Sequence, residues 1–377
     1  MKDKVLIYEV HYSNFNRYVI PLAQHLIESK ISKEVVLIYD SFVKSQKIDE
    51  VKNHNVSRGL ASEVWKSLQG NDNRNIVFLN YSYRIPDLYW TSKFKKEGVC
   101  CYQMQHGMYA EFLERSFLGY FSAIGRKWIY LKYLFAFSLK GKWVVFLYLI
   151  NKDFIKSFSL NTYIESKKVK IESVQSNQIF IWGDYWKKWF VKNHFYKESD
   201  NFTTVGNPDY HTFIKGKKIK REPEKVCYIA QTFVEDGRME MSDYKTIMNR
   251  LSNALTERLI VKLHPRSNKA IFEKVVENRG KLTYDFPITG HYIGHYSSLL
   301  ALAANNDSKV FLLEINNEEI PHYFKNSADG IYSKVENLIL AINSNEDVNG
   351  VKEIAYYFEN KEEHPYTIIG QRILLNN

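Results

Sequence analysis

Cysteine is scarce in this sequence, and its few copies form no pattern. The three cysteines are Cys100, Cys101 and Cys227, and no CxxC pair occurs that could bind zinc or exchange thiols. Neighbouring cysteines such as Cys100 and Cys101 do not easily bridge each other. A disulfide framework is therefore excluded, and a reducing cytoplasm is the expected compartment.

Signals for export or for crossing a membrane are also missing. The start, "MKDKVLIYEV", passes from charged residues straight into a strand-like run, without the apolar core or cleavage site of a signal peptide. Residues 117–152 are aromatic and apolar, but internal basic residues leave no run of the roughly 20 uncharged residues that a spanning helix needs. These basic residues are Arg126, Lys127, Lys132, Lys140 and Lys142. We expect neither export nor a transmembrane helix.

Several catalytic signatures are absent as well. No GxGxxG follows the first strand-like run and no GxxxxGK[ST] occurs, so the usual dinucleotide and P-loop signatures fail. The sequence has no GxSxG, HExxH or EF-hand loop, which disfavours hydrolase, zinc-protease and calcium-binding classes. The DxD pair of metal-dependent sugar transferases is missing too. We therefore expect no metal and no cofactor.

Acidic residues are outnumbered by basic ones. The formal charge of +10 predicts an anionic partner, and nucleic acid, acidic lipid or a phosphorylated small substrate would each satisfy it. No base-stacking or groove-reading motif occurs, so nucleic acid is not an expected partner.

Short apolar runs alternate with helix-length segments through most of the chain. Runs such as "KVLIYEV", "EVVLIYD" and "NIVFLNY", and later "QIFIWG", "KVCYIAQTF" and "RLIVKLHP", are typical of parallel strands covered on both faces. We predict an α/β protein with two doubly wound, Rossmann-like domains, residues 1–170 and 171–377, facing each other across a cleft. The C-terminal helix is free to cross back onto the first domain.

The aromatic and basic insertion, residues 117–152, interrupts the first domain. It has two interpretations that the sequence leaves open. One is a helical hairpin in a membrane interface, with rings among the headgroups and lysines on anionic phosphates. The other is a helical cap packed on the first domain.

Polar residues follow two strands of the second domain. "RLIVKLHPRS" ends in His264, Pro265 and Arg266, and "HYIGHYSSLLALAANND" puts Ser297 and Ser298 at a strand–helix junction. Hydroxyls and backbone N–H groups at a helix start can bind an anion, and a nearby histidine can donate to a phosphate oxygen. We predict a nucleotide-phosphate site there. The plainer alternative is that Ser297 caps a helix and His264 is a turn residue.

In the first domain, "VCCYQMQHGMYAEF" ends a strand with Gln105, His106 and Gly107. A neutral imidazole can take a proton from an acceptor hydroxyl, so His106 is the candidate base. Glu111 and Glu114 compete for that role, and a histidine bonded in a turn is the plainer alternative.

Further polar residues stand at strand ends. Gly183 and Asn207 suit turns and secondary ligand contacts. Gln231 and Thr232 are candidate donor-binding residues, and Glu235 in "AQTFVEDGRMEM" is a candidate base or ligand orienter, with a solvated loop as the alternative.

These motifs resemble those of the GT-B bacterial sialyltransferases and polysialyltransferases. They are also similar to CDP-glycerol glycerophosphotransferases, in which an "HG" in the first domain accompanies a "YSS" after the His-Pro. The resemblance implies that His264, Ser297 and Ser298 bind the phosphates of a cytidine nucleotide donor. One departure stands out: those sialyltransferases carry an acidic pair followed by glycine at a first-domain strand end, where this chain reads "MQHG".

The expected function is an inverting, metal-independent glycosyltransferase of bacterial capsule, O-antigen or lipooligosaccharide synthesis. The expected donor is CMP-sialic acid, with a CDP-glycerol or CDP-ribitol phosphotransferase, or a UDP-sugar enzyme, as alternatives. The acceptor would be a glycan or lipid-linked glycan at the inner face of the cytoplasmic membrane, touched peripherally. A non-catalytic protein that binds membrane or nucleic acid is the alternative from another class.

Overall fold

The apolar runs form the strands of two separate parallel sheets in the computed structural model. The structure describes residues 1–43, 48–81, 83–108, 124–139, 142–151, 158–215, 220–235, 238–276, 279–304, 308–315, 320–344 and 353–375. Unit 1 comprises Met1–His106, Gly125–Pro208 and Lys361–Asn377, and unit 2 contains Asp209–Asn360.

Unit 1 is built on a seven-stranded sheet in the order β3-β2-β1-β4-β5-β6-β7, with every pairing parallel. The strands are β1 Lys2–Tyr8, β2 Ser32–Tyr39, β3 Val56–Leu60, β4 Ile76–Asn80, β5 Cys100–Met104, β6 Gln178–Ile181 and β7 Asn201–Thr204. Successive side chains of a strand point to opposite faces. Accordingly, Val5 and Ile7 enter one buried cluster while Leu6 and Tyr8 enter the other.

Helices cover both faces of this sheet. They are α1 Tyr12–Asn14, α2 Ile20–Glu28, α3 Ala61–Leu68, α4 Ile85–Lys96, α5 Ile124–Leu139, α6 Trp143–Ile150, α7 Phe158–Ser166 and α8 Tyr185–His194, with a π-helical turn at Phe15–Val19 and 3-10 turns at Lys168–Lys170 and Glu172–Val174. This doubly wound arrangement confirms the fold class predicted for the first domain. The chain enters unit 2 through α9 Pro208–Tyr210 and a π-helical turn at His211–Lys215.

Unit 2 repeats the plan with six parallel strands in the order β10-β9-β8-β11-β12-β13. The strands are β8 Glu222–Ile229, β9 Leu259–Lys262, β10 Lys281–Thr283, β11 Thr289–Gly294, β12 Lys309–Leu313 and β13 Gly330–Tyr332. Its helices are α10 Met241–Leu255, α11 Lys269–Val276, α12 Ser298–Ala304, α13 His322–Lys325, α14 Val335–Ser344 and α15 Ile354–Tyr357, with a 3-10 turn at Thr256–Arg258. The second Rossmann-like domain is thereby confirmed.

The junction between the units differs from the expected one at residues 170 and 171. β6 pairs with β5, as in Tyr102 opposite Gln178, and β7 pairs with β6, so both strands extend the first sheet. The junction lies instead between Pro208 and Asp209. An apolar run shows that a strand exists but not which open sheet edge it joins, so the sequence pattern misplaced these two strands.

The last helix, α16 Pro365–Leu375, belongs to unit 1. Ile369 and Ile373 are fully buried in the same cluster as Val5 and Ile7. A Cβ on Gly370 would stand 3.0 Å from Ile31, so glycine permits the close approach of this helix.

The described part of the insertion covers one face of unit 1. Tyr133, Leu134 and Phe137 of α5 and Leu149 of α6 are buried in the cluster that holds Leu6. The inner side of these helices is therefore a packed cap. Among the described residues, no helix is long and apolar enough to cross a membrane.

Candidate functional site

Strand order in unit 2 reverses beside β8. The chain winds outward from β8 through β9 to β10 and then returns to the other side of β8 as β11. Open parallel sheets bind ligands at the carboxyl ends of the strands where the order reverses. The loops after β8, β9 and β11, which hold residues 230–235, 263–268 and 295–297, are called the switch-point loops below.

The stretch "HPRS" forms a tight turn in the loop after β9. The backbone N–H of Ser267 donates to the His264 carbonyl at 2.9 Å, and the His264 N–H donates to Ser267 Oγ at 3.2 Å. Pro265 occupies the second turn position, which its fixed φ suits. These residues therefore form a turn, and phosphate binding by His264 stays a prediction.

Within the turn, the Arg266 N–H donates to Nδ1 of His264 at 3.1 Å. Because Nδ1 accepts this bond, the hydrogen of a neutral His264 ring belongs on Nε2. Nε2 then carries the hydrogen that the ring can donate.

Side chains of the switch-point loops hold one another in place. The Gln231 side chain donates to the Tyr296 carbonyl at 2.9 Å and accepts from the Tyr296 N–H at 3.2 Å. The Arg266 guanidinium donates to Thr232 Oγ1 at 2.8 Å. The structure thus brings together the predicted donor-side residues of three loops at one edge of the sheet.

Glu235 has a structural partner in the same region. Its carboxylate accepts a hydrogen bond at 2.9 Å from the backbone N–H of Asn268, the residue before α11. This bond joins the loop after β8 to the start of that helix. Its role as a base or ligand orienter stays a prediction, and its neighbours Asp236 and Gly237 lie outside the described residues.

Ser297 caps α12, as the plainer alternative proposed. Its Oγ accepts from the Leu299 N–H at 3.3 Å, and its carbonyl accepts from the Leu300 N–H at 2.9 Å. A hydroxyl that accepts in this way still has its own hydrogen to donate. Ser297 and Ser298 are both partly exposed, so a ligand can reach them.

His295 is a residue that sequence reasoning passed over. It is fully buried, with Nδ1 2.6 Å from the Leu313 carbonyl and Nε2 2.9 Å from the Tyr228 hydroxyl. Burial lowers the pKa of His295 to about 4. Both ring nitrogens are engaged, so His295 fixes the start of the loop after β11 to Tyr228 of β8 and Leu313 of β12.

The buried His295 predicts that stability falls in mild acid. The unfolded chain takes up a proton near pH 6.5, whereas the folded chain resists until about pH 4. The stabilisation is therefore present above pH 6.5 and lost as the pH falls toward 4, by about 3 kcal/mol. Denaturant titrations followed by circular dichroism should show this fall and a flatter profile for His295→Gln. The exposed His54→Gln variant should keep the wild-type profile; equal profiles for all three proteins would contradict the prediction.

His106 lies just after β5 in unit 1. Gly107 has a φ of +86°, a conformation that glycine adopts without strain, so the chain turns directly after the histidine. Gln105 is fully buried and its side-chain oxygen accepts from the Trp182 N–H at 2.8 Å, so it ties the end of β5 to the end of β6. This bond gives the Gln105 side chain a structural role, and its contact with a ligand stays a prediction.

Beside His106 stands an acid that sequence reasoning missed. Glu9 follows β1 and is fully buried, and its Oε1 lies 2.9 Å from Nη1 of Arg84. The same oxygen accepts from the backbone N–H groups of Val10 at 2.7 Å and His11 at 3.0 Å. Its position after the first strand, at the point where the order of the first sheet reverses, was the signal available in the sequence.

The charges in this group act on one another. Burial would raise the pKa of the Glu9 carboxyl, but Arg84 outweighs it and the pKa falls to about 2. Burial lowers the pKa of His106 to about 4, against the opposing effect of the Glu9 carboxylate. At neutral pH His106 is thus uncharged beside an ionised Glu9. Neither Oε2 of Glu9 nor Nδ1 of His106 has a hydrogen-bond partner among the described residues.

The remaining candidates lie elsewhere or outside the description. Gly183 and Asn207 follow β6 and β7, so they belong to unit 1 and not to the second domain where they were expected. Asn207 is buried, and it follows Gly206, whose φ of +80° is a turn conformation that glycine adopts readily. Glu111 and Glu114 lie outside the described residues.

Comparison with known proteins gives matches in structure alone. No protein-family model and no curated protein sequence matches the chain. The wall teichoic acid polymerase TagF is similar with a TM-score of 0.54 and 11% identity, over 100% of this chain and 89% of that one. CalG4, the calicheamicin glycosyltransferase, has a TM-score of 0.53 and 9% identity, over 100% and 98%.

A third match is a Listeria monocytogenes protein assigned as a UDP-N-acetylglucosamine 2-epimerase. Its TM-score is 0.54 and its identity 12%, over 99% of this chain and 95% of that one. At sequence identities this low, structural similarity shows a shared fold alone. The chain has two parallel α/β domains and matches these structures over nearly its whole length. It therefore has the GT-B fold.

Proposed function

We propose that this protein is an inverting GT-B glycosyltransferase of bacterial surface polysaccharide synthesis. The observation that carries the proposal is the set of switch-point loops in unit 2. There the His264 turn, the Gln231–Thr232 pair and Ser297 converge at the edge where a Rossmann-like sheet binds ligands. The hydrogen-bond donors of these residues suit the phosphate of a nucleotide.

The donor we propose is CMP-sialic acid, because of the resemblance in the His-Pro and Ser-Ser motifs. Nε2 of His264, the Arg266 guanidinium and the hydroxyls of Ser297 and Ser298 would bind the phosphate. The sugar–phosphate bond breaks with its electrons on the phosphate oxygen, and these groups stabilise the charge that develops there. No metal ion is needed in this scheme, in keeping with the missing DxD pair.

His106 is the proposed base on the acceptor side. The acceptor hydroxyl gives its proton to the neutral ring while its oxygen attacks the anomeric carbon from the face opposite the phosphate, which inverts the configuration. The ionised Glu9 carboxylate would then stabilise the imidazolium that forms. Burial lowers the pKa of His106 to about 4, so the ring is uncharged at neutral pH.

A specific observation favours a second candidate. The chain is similar over its full length to the wall teichoic acid polymerase TagF, and it shares the "HG" and "YSS" motifs of the CDP-glycerol phosphotransferases. In that case the acceptor oxygen attacks phosphorus, and the same loops hold the departing nucleotide. A UDP-linked donor is the third possibility, because the Phytolacca americana UGT2 structure, with a TM-score of 0.54, is a complex with UDP-2-fluoroglucose.

Nucleotide binding provides the test. We expect CMP to stabilise the protein above CDP, UDP and GDP, by about 2.7 kcal/mol at a hundredfold excess over its Kd. His264→Ala should lose that stabilisation, whereas His322→Ala, an exposed histidine of unit 2, should keep it. A thermal-shift panel measures all twelve combinations.

Each outcome of the panel assigns a donor. A preference for CDP selects the alditol phosphotransferase, and a preference for UDP selects a UDP-sugar enzyme, including a 2-epimerase, which would turn over its nucleotide sugar without any acceptor. If no nucleotide shifts the transition of the folded protein, the proposed site in unit 2 is wrong.

We further propose that the outer side of the insertion contacts the inner face of the cytoplasmic membrane. Three large apolar side chains there are solvent-exposed: Phe135 at 56%, Leu139 at 86% and Trp143 at 58%. Residues 117–152 carry basic side chains and no acid, which suits anionic lipid. In this proposal the buried side of the helices is the cap and the exposed side is the membrane contact.

Vesicle binding tests this contact. We expect the double variant Leu139→Ser and Trp143→Ser to lower partitioning into anionic vesicles at least about tenfold, because each large side chain contributes roughly 1.5–3 kcal/mol when buried. Leu340→Ser is the matched control, since Leu340 is 67% exposed on α14 of unit 2. Equal vesicle binding by the wild type and both variants would contradict the proposed membrane contact.

A further inference from the structure

A cavity of about 340 Å³ opens in unit 1 where β2 and β3 end. Its lining residues come from those strand ends and from α3, α4 and α5: Tyr39, Asp40, Ser41, Leu60, Ala61, Ser62, Tyr89, Trp90, Lys132, Tyr133 and Ala136. None of them belongs to the group around Glu9 and His106, and only Lys132 was named in the sequence analysis, as one of the basic residues of the insertion. This cavity is called the Asp40 pocket.

At the base of the pocket lies the carboxylate of Asp40, which is 5% exposed. Its Oδ2 accepts from the Tyr8 hydroxyl, and its Oδ1 accepts from the Tyr133 hydroxyl and, at 3.3 Å, from Nε1 of Trp90. Burial and the Asp40 charge raise the pKa of both tyrosines, so both remain donors. These bonds hold the carboxylate in a fixed orientation beside the cavity.

A carboxylate has capacity for about four hydrogen bonds, and the described residues supply three. The remaining acceptor position on Asp40 Oδ2 suits a ligand that brings a hydroxyl hydrogen. A phosphate or carboxylate ligand would instead meet a fixed negative charge. Lys132 brings a positive charge to the same lining, so the preference for a neutral ligand comes from the hydrogen-bond donors that Asp40 requires and from the balance of one acid and one base.

Aromatic rings form much of the wall. Tyr89 stands 5.1 Å from Trp90 and 4.9 Å from Tyr133, measured between ring centroids, and Tyr39 completes the set. Rings offer apolar faces, while the hydroxyls of Ser41 and Ser62 offer hydrogen bonds at the same cavity. A molecule with C–H faces and a rim of hydroxyls satisfies both kinds of surface, and this is the chemistry of a sugar ring.

From the volume, the fixed carboxylate and the rings, we propose that the Asp40 pocket binds a neutral sugar unit of the acceptor glycan. Its volume lies at the lower end of the range for small-molecule sites, which suits one or two sugar rings. The role as an acceptor subsite rests on the proposed glycosyltransferase function. Binding of a sugar by the pocket does not depend on it.

The position of α5 agrees with this assignment. Lys132, Tyr133 and Ala136 of this helix line the pocket, whereas Phe135 and Leu139 of the same helix are solvent-exposed and belong to the proposed membrane contact. A glycan that is carried on a lipid could thus reach the pocket from the membrane side of one helix.

The experiment uses saturation-transfer NMR with the full-length protein and a panel of free glucose, galactose, mannose, N-acetylglucosamine and N-acetylgalactosamine. We expect at least one sugar to bind, with an affinity of the order of millimolar for a ligand of this size. Ser62→Trp, at an exposed position on the pocket's rim, should weaken that binding about tenfold or more by filling the opening. Ser67→Trp is the matched control, because Ser67 is exposed on the same helix but does not line the pocket.

Several results would overturn the proposal. They are the absence of binding by every sugar, equal binding by Ser62→Trp and wild type, and displacement of the bound sugar by an equal concentration of inorganic phosphate. The nucleotide panel on the same samples separates this proposal from the function. Nucleotide binding without sugar binding refutes the pocket alone, whereas Ser62-dependent sugar binding without nucleotide binding upholds the pocket and refutes the transferase.

Discussion

Replacing His106 with alanine is expected to lower kcat for glycosyl transfer about 10²- to 10⁴-fold, the usual contribution of a positioned base. Nucleotide binding should remain, because the switch-point loops belong to unit 2. Initial rates with CMP-sialic acid and a glycan acceptor measure the loss. His54→Ala, which removes an exposed histidine of the same unit, should retain wild-type kcat.

Glu9→Gln distinguishes a catalytic imidazole from a merely structural one. The Glu9 carboxylate raises the pKa of His106 against the effect of burial, so its removal should lower that pKa below about 4. The neutral ring would still accept a proton, but the imidazolium would lose its counter-charge, so we expect kcat to fall while KM changes little. NMR titration of the His106 ring protons reports the pKa. An active His106→Ala enzyme, or a His106 pKa that does not respond to Glu9→Gln, would overturn the assignment of the base.

Replacing Arg84 with methionine should cost unit 1 about 3–5 kcal/mol of its free energy of unfolding, since removal of one partner leaves buried charge unpaired. The Arg84 guanidinium bonds to Asp87 through Nε at 2.6 Å and Nη2 at 3.1 Å, and pairs with Glu9 at 2.9 Å. Both carboxylates are fully buried. All seven tryptophans lie in unit 1, so denaturation followed by tryptophan fluorescence measures this unit.

Arg74→Met is the matched control for this measurement. Arg74 pairs with Asp72 at 2.7 Å, but both side chains are largely exposed, so solvent screens the pair and the loss should be much smaller than that of Arg84→Met. Adding Glu9→Gln and Asp87→Asn to Arg84→Met should recover part of the stability, because the stranded charges are then removed. Similar losses for Arg84→Met and Arg74→Met would show that the buried group has no special role in folding.

Much of the unit 2 site could be predicted because it consists of local signals. The His264 turn is encoded in four consecutive residues, and the Ser297 cap in the polar residues at the junction between a strand and a helix. Their meeting at one edge follows from a general property of parallel sheets, whose strands all end on the same side. The same argument explains why Gln231 and Thr232 could be included from the sequence.

The contacts of the site in unit 1 could not be predicted from local sequence signals. Glu9 and His106 are far apart in the chain, and they meet because β1 and β5 flank β4 in the sheet. Asp40 lies at the bottom of its pocket because it accepts hydrogen bonds from side chains of β1, α4 and α5. No spacing in the sequence carries those contacts.

The order of amino acids specifies an α/β protein with two parallel sheets, because strand-forming runs and helix periodicity are local properties of the chain. It also determined the turn that orients His264 and the cap at Ser297. The tertiary structure alone decided that β6 and β7 extend the first sheet and that α16 returns to unit 1. It likewise decided which carboxylates are buried together with Arg84 and beside the Asp40 pocket, because strand pairing and helix packing depend on surfaces assembled from distant residues.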